Sequence, residues 1–465
     1  MQNKKSGKGF GLSQKLFGTS GIRGIVNQDL TLQLALRTGL AIATITKAGR
    51  ITIAHDTRTT ATTVENAVVA GLLAGGAKVT KLGLLPTPLL AYATRQLKAN
   101  AGVMITASHN PPQYNGIKLF NKNTMAYLQE QENKIEQIIR KQQFTRQTFR
   151  KIGTTNNTDV AQHYIDTLKE IPLRRPWRIV LDSGNGAACQ IAPKVFQALG
   201  CKVTTINAQP DGHFPSRSPE PDEESLRELC AMVKRLRVDA GFAYDGDGDR
   251  MVAITEKGEF APFDQTLAAF AAYAVKRNRG GTIITTVEAS MAMEKQVQRH
   301  GGRVLRTRVG DVAVAEEIKR HNAIFGGEPC GAWIHPQIHH CPDGILSSVL
   351  LLEALESEGK PLSAFIGDVP LYPEKKNSVK CPNEARTKVM QRIKAMLPLV
   401  FQKINDLNDI DGIRLSLAKG WVLIRASGTE PLIRVKVEAE NTSEVRGIME
   451  KSMNVVQRVT MEIGL

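Results

Sequence analysis

Three aspartates separated by single glycines, Asp245-Gly246-Asp247-Gly248-Asp249, followed by Arg250, are the densest chemistry in the chain. Such a run cannot be an ordinary buried strand, because three carboxylates so close repel one another strongly in a low-dielectric interior. The glycines let the backbone curl until the oxygens converge, and converging carboxylate oxygens are what a hard divalent cation takes as ligands. A solvated acidic loop and an EF-hand calcium loop are the competing readings. The EF-hand pattern matches at positions one, three and five and finds Glu256 at position twelve. Arg250 stands where that loop needs glycine, however, and Met251–Thr255 reads as a strand. Mg²⁺ is therefore the expected ion, with coordination positions left for water and a phosphate oxygen.

A second reactive segment is Thr106-Ala107-Ser108-His109-Asn110-Pro111, directly after a strand read over Ala101–Thr106. Small-residue turns at the carboxyl ends of parallel strands are where α/β proteins place reactive groups. Ser108 sits there with His109 beside it and Lys118 ten residues on. An ordinary Asx or ST turn would look the same. A hydrolase triad does not fit, because G-x-S-x-G is absent and adjacent Ser and His rarely face each other.

Two further segments suit anions. Phe17-Gly18-Thr19-Ser20-Gly21-Ile22-Arg23-Gly24 combines three glycines, two hydroxyls and Arg23; Arg425-Ala426-Ser427-Gly428-Thr429-Glu430-Pro431 adds Arg425 and, beyond it, Arg434. Guanidinium forks, hydroxyls and free backbone N–H groups together suit a phosphate monoester, although either segment also reads as a plain glycine turn. Gly327-Glu328-Pro329-Cys330-Gly331-Ala332 offers a carboxylate to sugar hydroxyls, or is a surface turn.

These segments need a scaffold, and the pattern around them is βαβ. Strands are expected at Ile51–His55, Ala77–Gly83 and Ala101–Thr106, with helices over Thr59–Ala74 and Thr87–Leu97 between them. Gln129–Asn157 reads as a polar helix followed by a linker. A second series runs through Trp177–Asp182, Lys202–Ile206 and Val238–Tyr244, and a third through Thr282–Thr286, Arg303–Thr307 and Ala323–Gly326. Past Pro373 the pattern changes to a helix at Asn383–Leu397, strands near Gly412–Leu415, Trp421–Arg425 and Ile433–Ala439, and a closing helix from Ser443. The fold class is α/β: three consecutive α/β domains with mostly parallel sheets (residues 1–155, 156–255 and 256–370), then an α+β domain over 371–465.

The 465 residues are too many for one core. The longest apolar stretch, Val64 to Val79, is broken by Glu65, Asn66 and three glycines, so no membrane span is expected. Lys4, Lys5 and Lys8 lack the apolar stretch of a secretory signal and read as a flexible basic tail on a cytoplasmic protein. The six cysteines form no CxxC pair and fit reduced thiols. The net charge of +16 admits nucleic acid as a partner, but no run of five basic residues occurs and aromatics are only 5%. Dispersed charge without a stacking platform points to an anionic small substrate and away from nucleic acid.

In this order and spacing, the serine, aspartate, Glu328 and Arg425 segments resemble the α-D-phosphohexomutase superfamily, from Leu16 nearly to the end. The resemblance implies four domains around a central cleft. It also implies interconversion of hexose 6-phosphate and hexose 1-phosphate through phosphoserine, with hexose 1,6-bisphosphate as intermediate and activator. Ser108 would carry the phosphoryl group and join Asp245, Asp247 and Asp249 on Mg²⁺. Arg23, Lys118, Arg250 and His109 would surround the transferring group. Glu328 and Cys330 would meet sugar hydroxyls, and Arg425, Ser427, Gly428, Thr429 and Arg434 the distal phosphate. Hexose phosphates would be the partners of a monomer or homodimer.

Two positions depart from the glucose/mannose enzymes of that group. Cys330 and Ala332 stand where many of them have serine and histidine, leaving His335, His339 and His340 as possible replacements. Val309-Gly310-Asp311 resembles instead the phosphoglucosamine and archaeal-type members, so glucosamine phosphate ranks first and mannose or glucose phosphate second. A silent sugar-phosphate binder is the reading outside catalysis.

Overall fold

The computed structural model describes residues 15–18, 20–427 and 431–464. These form two compact units: one comprises the chain up to Met251 with His339–Val349, the other Val252–Ile338 with the chain from Leu350. The basic tail lies outside the described residues.

The first unit is built on a six-stranded sheet in the order Ile22–Ile25, Tyr114–Asn121, Ala101–Ile105, Arg50–His55, Lys78–Leu84, Thr154–Asn157. Ala101–Ile105 is buried throughout, as a central strand covered on both faces must be. It runs parallel to Arg50–His55, with His55 beside Ile105, and antiparallel to Tyr114–Asn121, with Met104 beside Lys118. Helix Leu32–Ile45 is capped by Thr31, whose side chain accepts from the Leu34 N–H. Helix Thr87–Gln96 starts at Pro86 with Pro88 in its first turn, where proline's fixed φ and missing N–H cost nothing. Further on, Arg178–Asp182 lies between Lys202–Ile206 and Ala240–Tyr244, all parallel.

Two sequence expectations change here. The Ile22–Gly24 stretch, open to a plain glycine-turn reading, begins a strand with Arg23 beside Gly116, paired to the strand Tyr114–Asn121 that carries Lys118. Part of the expected linker, Thr154–Asn157, is a strand on the sheet edge, paired with Lys78–Lys81. Its polar side chains hide it from a hydrophobicity reading, because an exposed edge needs no apolar face.

In the second unit, Gly281–Thr286 lies between parallel neighbours Gly302–Thr307 and Phe325–Gly327, and Trp333–Ile334 closes the sheet antiparallel. The C-terminal part is a five-stranded antiparallel sheet in the order Glu374–Lys380, Leu432–Ala439, Gly420–Ala426, Ile413–Leu417, Ile404–Asn408. Its alternating inner residues, among them Val422, Ile424, Val435 and Val437, form one core with Val389, Ile393, Val456 and Val459 of helices Arg386–Met396 and Thr442–Glu462. The α/β class with mixed, mostly parallel sheets and an antiparallel C-terminal sheet is therefore observed. Among the described residues no helix is long and apolar enough to cross a membrane.

Candidate active site

In the first unit the serine and aspartate segments meet. Ser108 follows strand Ala101–Ile105, is buried, and has φ +51°. That left-handed backbone is uncommon outside glycine and turns the side chain out of the strand direction. Ser108 Oγ donates to Asp245 Oδ2 at 2.8 Å and lies 3.2 Å from His109 Nδ1. The Ser108 N–H is held by Thr106 Oγ1 at 2.9 Å.

Asp245, Asp247 and Asp249 each bring one oxygen into a group no more than 4.8 Å across. The loop leaves the end of strand Ala240–Tyr244 and turns at Gly248, whose φ of +74° suits glycine. Asp247 is gripped from three directions. Its Oδ2 accepts from Thr87 Oγ1 at 2.5 Å and from Lys118 Nζ at 2.8 Å, and its carbonyl accepts from the Thr87 N–H at 2.9 Å. Lys118 Nζ also reaches Asp249 Oδ2 at 3.0 Å. Lys118 thus stands on a strand with its ammonium buried between two carboxylates.

Burial and the neighbouring Asp249 and Asp247 charges push Asp245 well above the usual carboxylate range. Burial alone would do the same to Asp247, but the Lys118 charge and hydrogen bond, helped by Thr87, hold it below that range. His109 is lowered to about 3, first by burial and then by the Arg250 and Arg23 charges, so it is neutral at any working pH. Arg23 Nη1 donates to Asn110 Oδ1 at 2.7 Å, and the Arg250 guanidinium lies 3.6 Å from Glu220 and 4.0 Å from Asp249. Every sequence-selected residue of this part, Ser108, His109, Lys118, Arg23, Arg250 and the three aspartates, lies in one unit.

The carboxylate trio fits a Mg²⁺ ion. Its donors are all oxygen, and Asp247 Oδ1 is buried with no hydrogen-bond partner among the described residues. A divalent cation compensates such an oxygen and the excess negative charge together.

In the second unit Glu328 follows strand Phe325–Gly327 and is buried. Its Oε1 accepts from the Gly310 N–H at 2.8 Å, so the Val309-Gly310-Asp311 and Glu328 segments form one structure. Gly310 has φ +124°, which a side chain rarely adopts. Cys330 is half-buried and in no disulfide. Arg425 and Arg434 are directly paired across adjacent strands, which puts both side chains on one face. Arg425 meets Glu288 Oε1 at 2.5 Å and Asp411 Oδ1 at 3.3 Å, and Asp411 also accepts from the Val309 N–H at 3.0 Å. Ser427 is buried; Gly428 and Thr429 lie outside the described residues.

Of the three histidines considered as replacements, two are buried and engaged. His335 is a core residue, its ring 5.5 Å from Phe270 and 5.3 Å from Phe325. His339 is fully buried, with Nε2 2.9 Å from Asp343 and Nδ1 accepting from the Cys341 N–H. His340 is half-buried, and its backbone N–H donates to Thr124.

Sequence reasoning passed over Asp56, Arg58 and Thr87 around the serine and aspartate loops, and Glu288 and Asp411 around Arg425. A usable signal existed for the first pair: a polar Asp-x-Arg directly after strand Arg50–His55, at the sheet end where Ser108 emerges from the adjacent strand.

A mixed α/β scaffold with a serine held against a carboxylate trio, and an arginine pair on a separate antiparallel sheet, defines a phosphohexomutase. The chain belongs to the phosphoglucomutase/phosphomannomutase family, matching its alpha/beta/alpha domain I over residues 14–146, domain II over 162–258, domain III over 262–372 and C-terminal domain over 378–455. This family uses Mg²⁺ and a hexose bisphosphate intermediate. A protein of Methanothermobacter thermautotrophicus described as a probable phosphoglucosamine mutase is 45% identical over 448 residues, covering 96% of this chain and 98% of that one. The phosphoglucosamine mutase of Methanocaldococcus jannaschii is 42% identical, covering 95% and 98%. A solved phosphoglucomutase/phosphomannomutase family protein of Burkholderia thailandensis superposes with a TM-score of 0.87 at 27% identity, covering 96% and 97%.

Proposed function

We propose that this enzyme interconverts glucosamine 6-phosphate and glucosamine 1-phosphate through phosphorylated Ser108. The observation that carries the mechanism is the 2.8 Å hydrogen bond between Ser108 Oγ and Asp245 inside a carboxylate trio. The likeness to phosphoglucosamine mutases over nearly the whole chain supports the choice of sugar.

Phospho-Ser108 gives its phosphoryl group to the free hydroxyl of a hexose monophosphate, forming the 1,6-bisphosphate. The bisphosphate reorients and returns its other phosphoryl group to Ser108. Asp245, Asp247 and Asp249, together with phosphorylated Ser108, would hold a Mg²⁺ ion, which would supply charge neutralisation for the transferring group. Lys118 is the acid/base: its ammonium gives a proton to Ser108 Oγ as the phosphoryl group leaves, and the resulting amine takes the proton of the attacking sugar hydroxyl, while Arg23 and Arg250 stabilise charge around the phosphoryl oxygens. Arginine exchanges protons reluctantly, which favours Lys118 for that role. Neutral His109 places Nδ1 3.2 Å from Ser108 Oγ, and with the hydroxyl proton on the Asp245 side an Nδ1–H donates to that oxygen. Glu328, held by Gly310, receives sugar hydroxyls with Cys330 beside it. Arg425, Arg434, Ser427, Gly428 and Thr429 receive the far phosphate, which must draw Arg425 from Glu288 and Asp411. The division into four domains at about residues 155, 255 and 370 belongs to this proposal, with the first break moved past Asn157 to keep the edge strand whole. So does a cytoplasmic monomer or homodimer, a setting in which six cysteines outside any disulfide are stable.

The test combines mass and rate. Intact-mass measurement should find one phosphoryl group on wild-type protein treated with glucose 1,6-bisphosphate and none on Ser108→Ala, whose turnover falls at least about a thousandfold. On glucosamine-, mannose- and glucose-6-phosphate, kcat/KM should favour glucosamine by about tenfold or more, and Glu328→Ala should lower all three about tenfold. Near-normal turnover in Ser108→Ala sinks the mechanism. Preference for mannose or glucose phosphate moves the substrate but not the reaction.

A further inference from the structure

Arg58 is among the largest fully buried side chains of the protein and stands in none of the segments that hold the phosphoryl group, the metal or the sugar. All five of its N–H donors are used. Nε donates to Asp56 Oδ2 at 3.0 Å; Nη1 donates to the carbonyls of Pro111 at 2.7 Å and Tyr114 at 2.9 Å; Nη2 donates to those of Ser108 at 2.7 Å and Asn110 at 2.6 Å. The Phe214 ring covers the guanidinium at 5.3 Å. Four of the five acceptors are therefore backbone oxygens of one loop, beginning at Ser108.

The sheet brings this about. His55 and Ile105 are register partners on parallel strands, so the next residues, Asp56 and Thr106, emerge side by side. Thr106 Oγ1 donates to Asp56 Oδ2 at 2.6 Å while accepting from the Ser108 N–H. The Ser108 peptide is thus held at its N–H through Thr106 and at its carbonyl by Arg58. Between those grips Ser108 has φ +51°, a conformation that persists only where the surroundings over-determine it.

A guanidinium is a poor choice for stability alone in such a place. Burying a charge pair costs desolvation that apolar residues of the same size avoid, and the gain is conformational definition. The geometry points to Asp56, Arg58 and Thr106 as the positioning device of the phosphoserine loop. They hold Ser108 in its left-handed backbone so that Oγ faces the carboxylate trio through each phosphoryl transfer. This rests on Ser108 being the phosphoryl carrier.

The test is Arg58→Lys. Lysine keeps the charge, but its single ammonium cannot span four carbonyl oxygens in a fixed fork. The variant should melt cooperatively and bind Mg²⁺ by calorimetry as wild type does. Its kcat should fall about a hundredfold with KM for hexose phosphate within about threefold, as expected for misplacement of a reacting group by an ångström. Phosphorylation of Ser108 by glucose 1,6-bisphosphate, followed by intact mass, should slow by the same factor. A folded Arg58→Lys protein with kcat within about threefold of wild type overturns the inference. If Arg58→Lys does not fold, Thr106→Val decides: it keeps the shape but removes the hydroxyl, and kcat should drop about tenfold with KM unchanged. Unchanged kcat there is equally fatal. Should wild-type Ser108 itself accept no phosphoryl group, the proposed function fails. Should wild type accept it and the variants match its rate, the positioning role alone fails.

Discussion

Lys118 Nζ lies 2.8 Å from Asp247 Oδ2, a hydrogen-bonded ion pair between residues 129 apart in the chain with both side chains buried. The strand carrying Lys118 belongs to the six-stranded sheet, whereas the loop carrying Asp247 follows strand Ala240–Tyr244 of another. This contact, with Thr87, is what keeps Asp247 ionised despite its burial.

Removing that ammonium should be costly. Lys118→Met keeps most of the stem and leaves Asp247 and Asp249 facing each other, so in EDTA the protein should lose roughly 3 kcal/mol or more in urea unfolding. Mg²⁺ should then stabilise the variant more than wild type, because the ion replaces the lost charge. Turnover with saturating Mg²⁺ should fall about a hundredfold or more, the scale of an acid/base group. Equal stabilisation of both proteins by Mg²⁺ would count against a shared ion site.

Metal dependence should follow the oxygen-only donor set. EDTA should abolish turnover and Mg²⁺ restore it, whereas Ca²⁺ should bind but support it poorly because it is larger and looser in geometry. Asp247→Asn should weaken Mg²⁺ binding in calorimetry by about tenfold or more. Binding unchanged in that variant would remove Asp247 from the ligand set.

Gly246 is required by space. A Cβ there would stand 2.5 Å from the Ser108 carbonyl oxygen, the oxygen that also accepts from Arg58. Gly246→Ala must push the two loops apart, so kcat should fall by about tenfold or more at an unfolding cost of about 1–3 kcal/mol. Gly447→Ala, with nothing within 4 Å in helix Thr442–Glu462, is the control and should leave kcat unchanged. Wild-type kcat in Gly246→Ala would rule out the tight approach.

His109 predicts a stability slope. Its pKa is about 3 in the folded protein, against an ordinary value near 6.5 in the unfolded chain. Between those values the unfolded chain binds a proton that the folded one does not, so stability falls as pH is lowered through that window. Dephosphorylated, EDTA-treated wild type should therefore lose more stability from pH 7 to pH 5 than His109→Asn does, and His109 should add no limb near neutrality to the pH–rate profile. Parallel losses in the two proteins would refute the lowered pKa.

What the sequence alone determined were the contiguous pieces. The aspartate loop, the serine turn, the Glu328 segment and the alternation of strands and helices are legible because each depends on neighbours within a few residues: glycines between carboxylates, small residues after an apolar strand, a period of two giving way to a longer one. Tertiary structure decided which pieces meet. Lys118 reaches Asp247 only because Tyr114–Asn121 is a strand beside Ala101–Ile105, a pairing that glycine and mixed polarity concealed. Arg58 became visible as a grip on Ser108 only once register set Asp56 next to Thr106. His335 and His339 likewise became core and hydrogen-bonded residues through partners no spacing rule specifies. Such contacts join residues tens to hundreds of positions apart, and their geometry follows from sheet order and register, which local patterning constrains but does not choose.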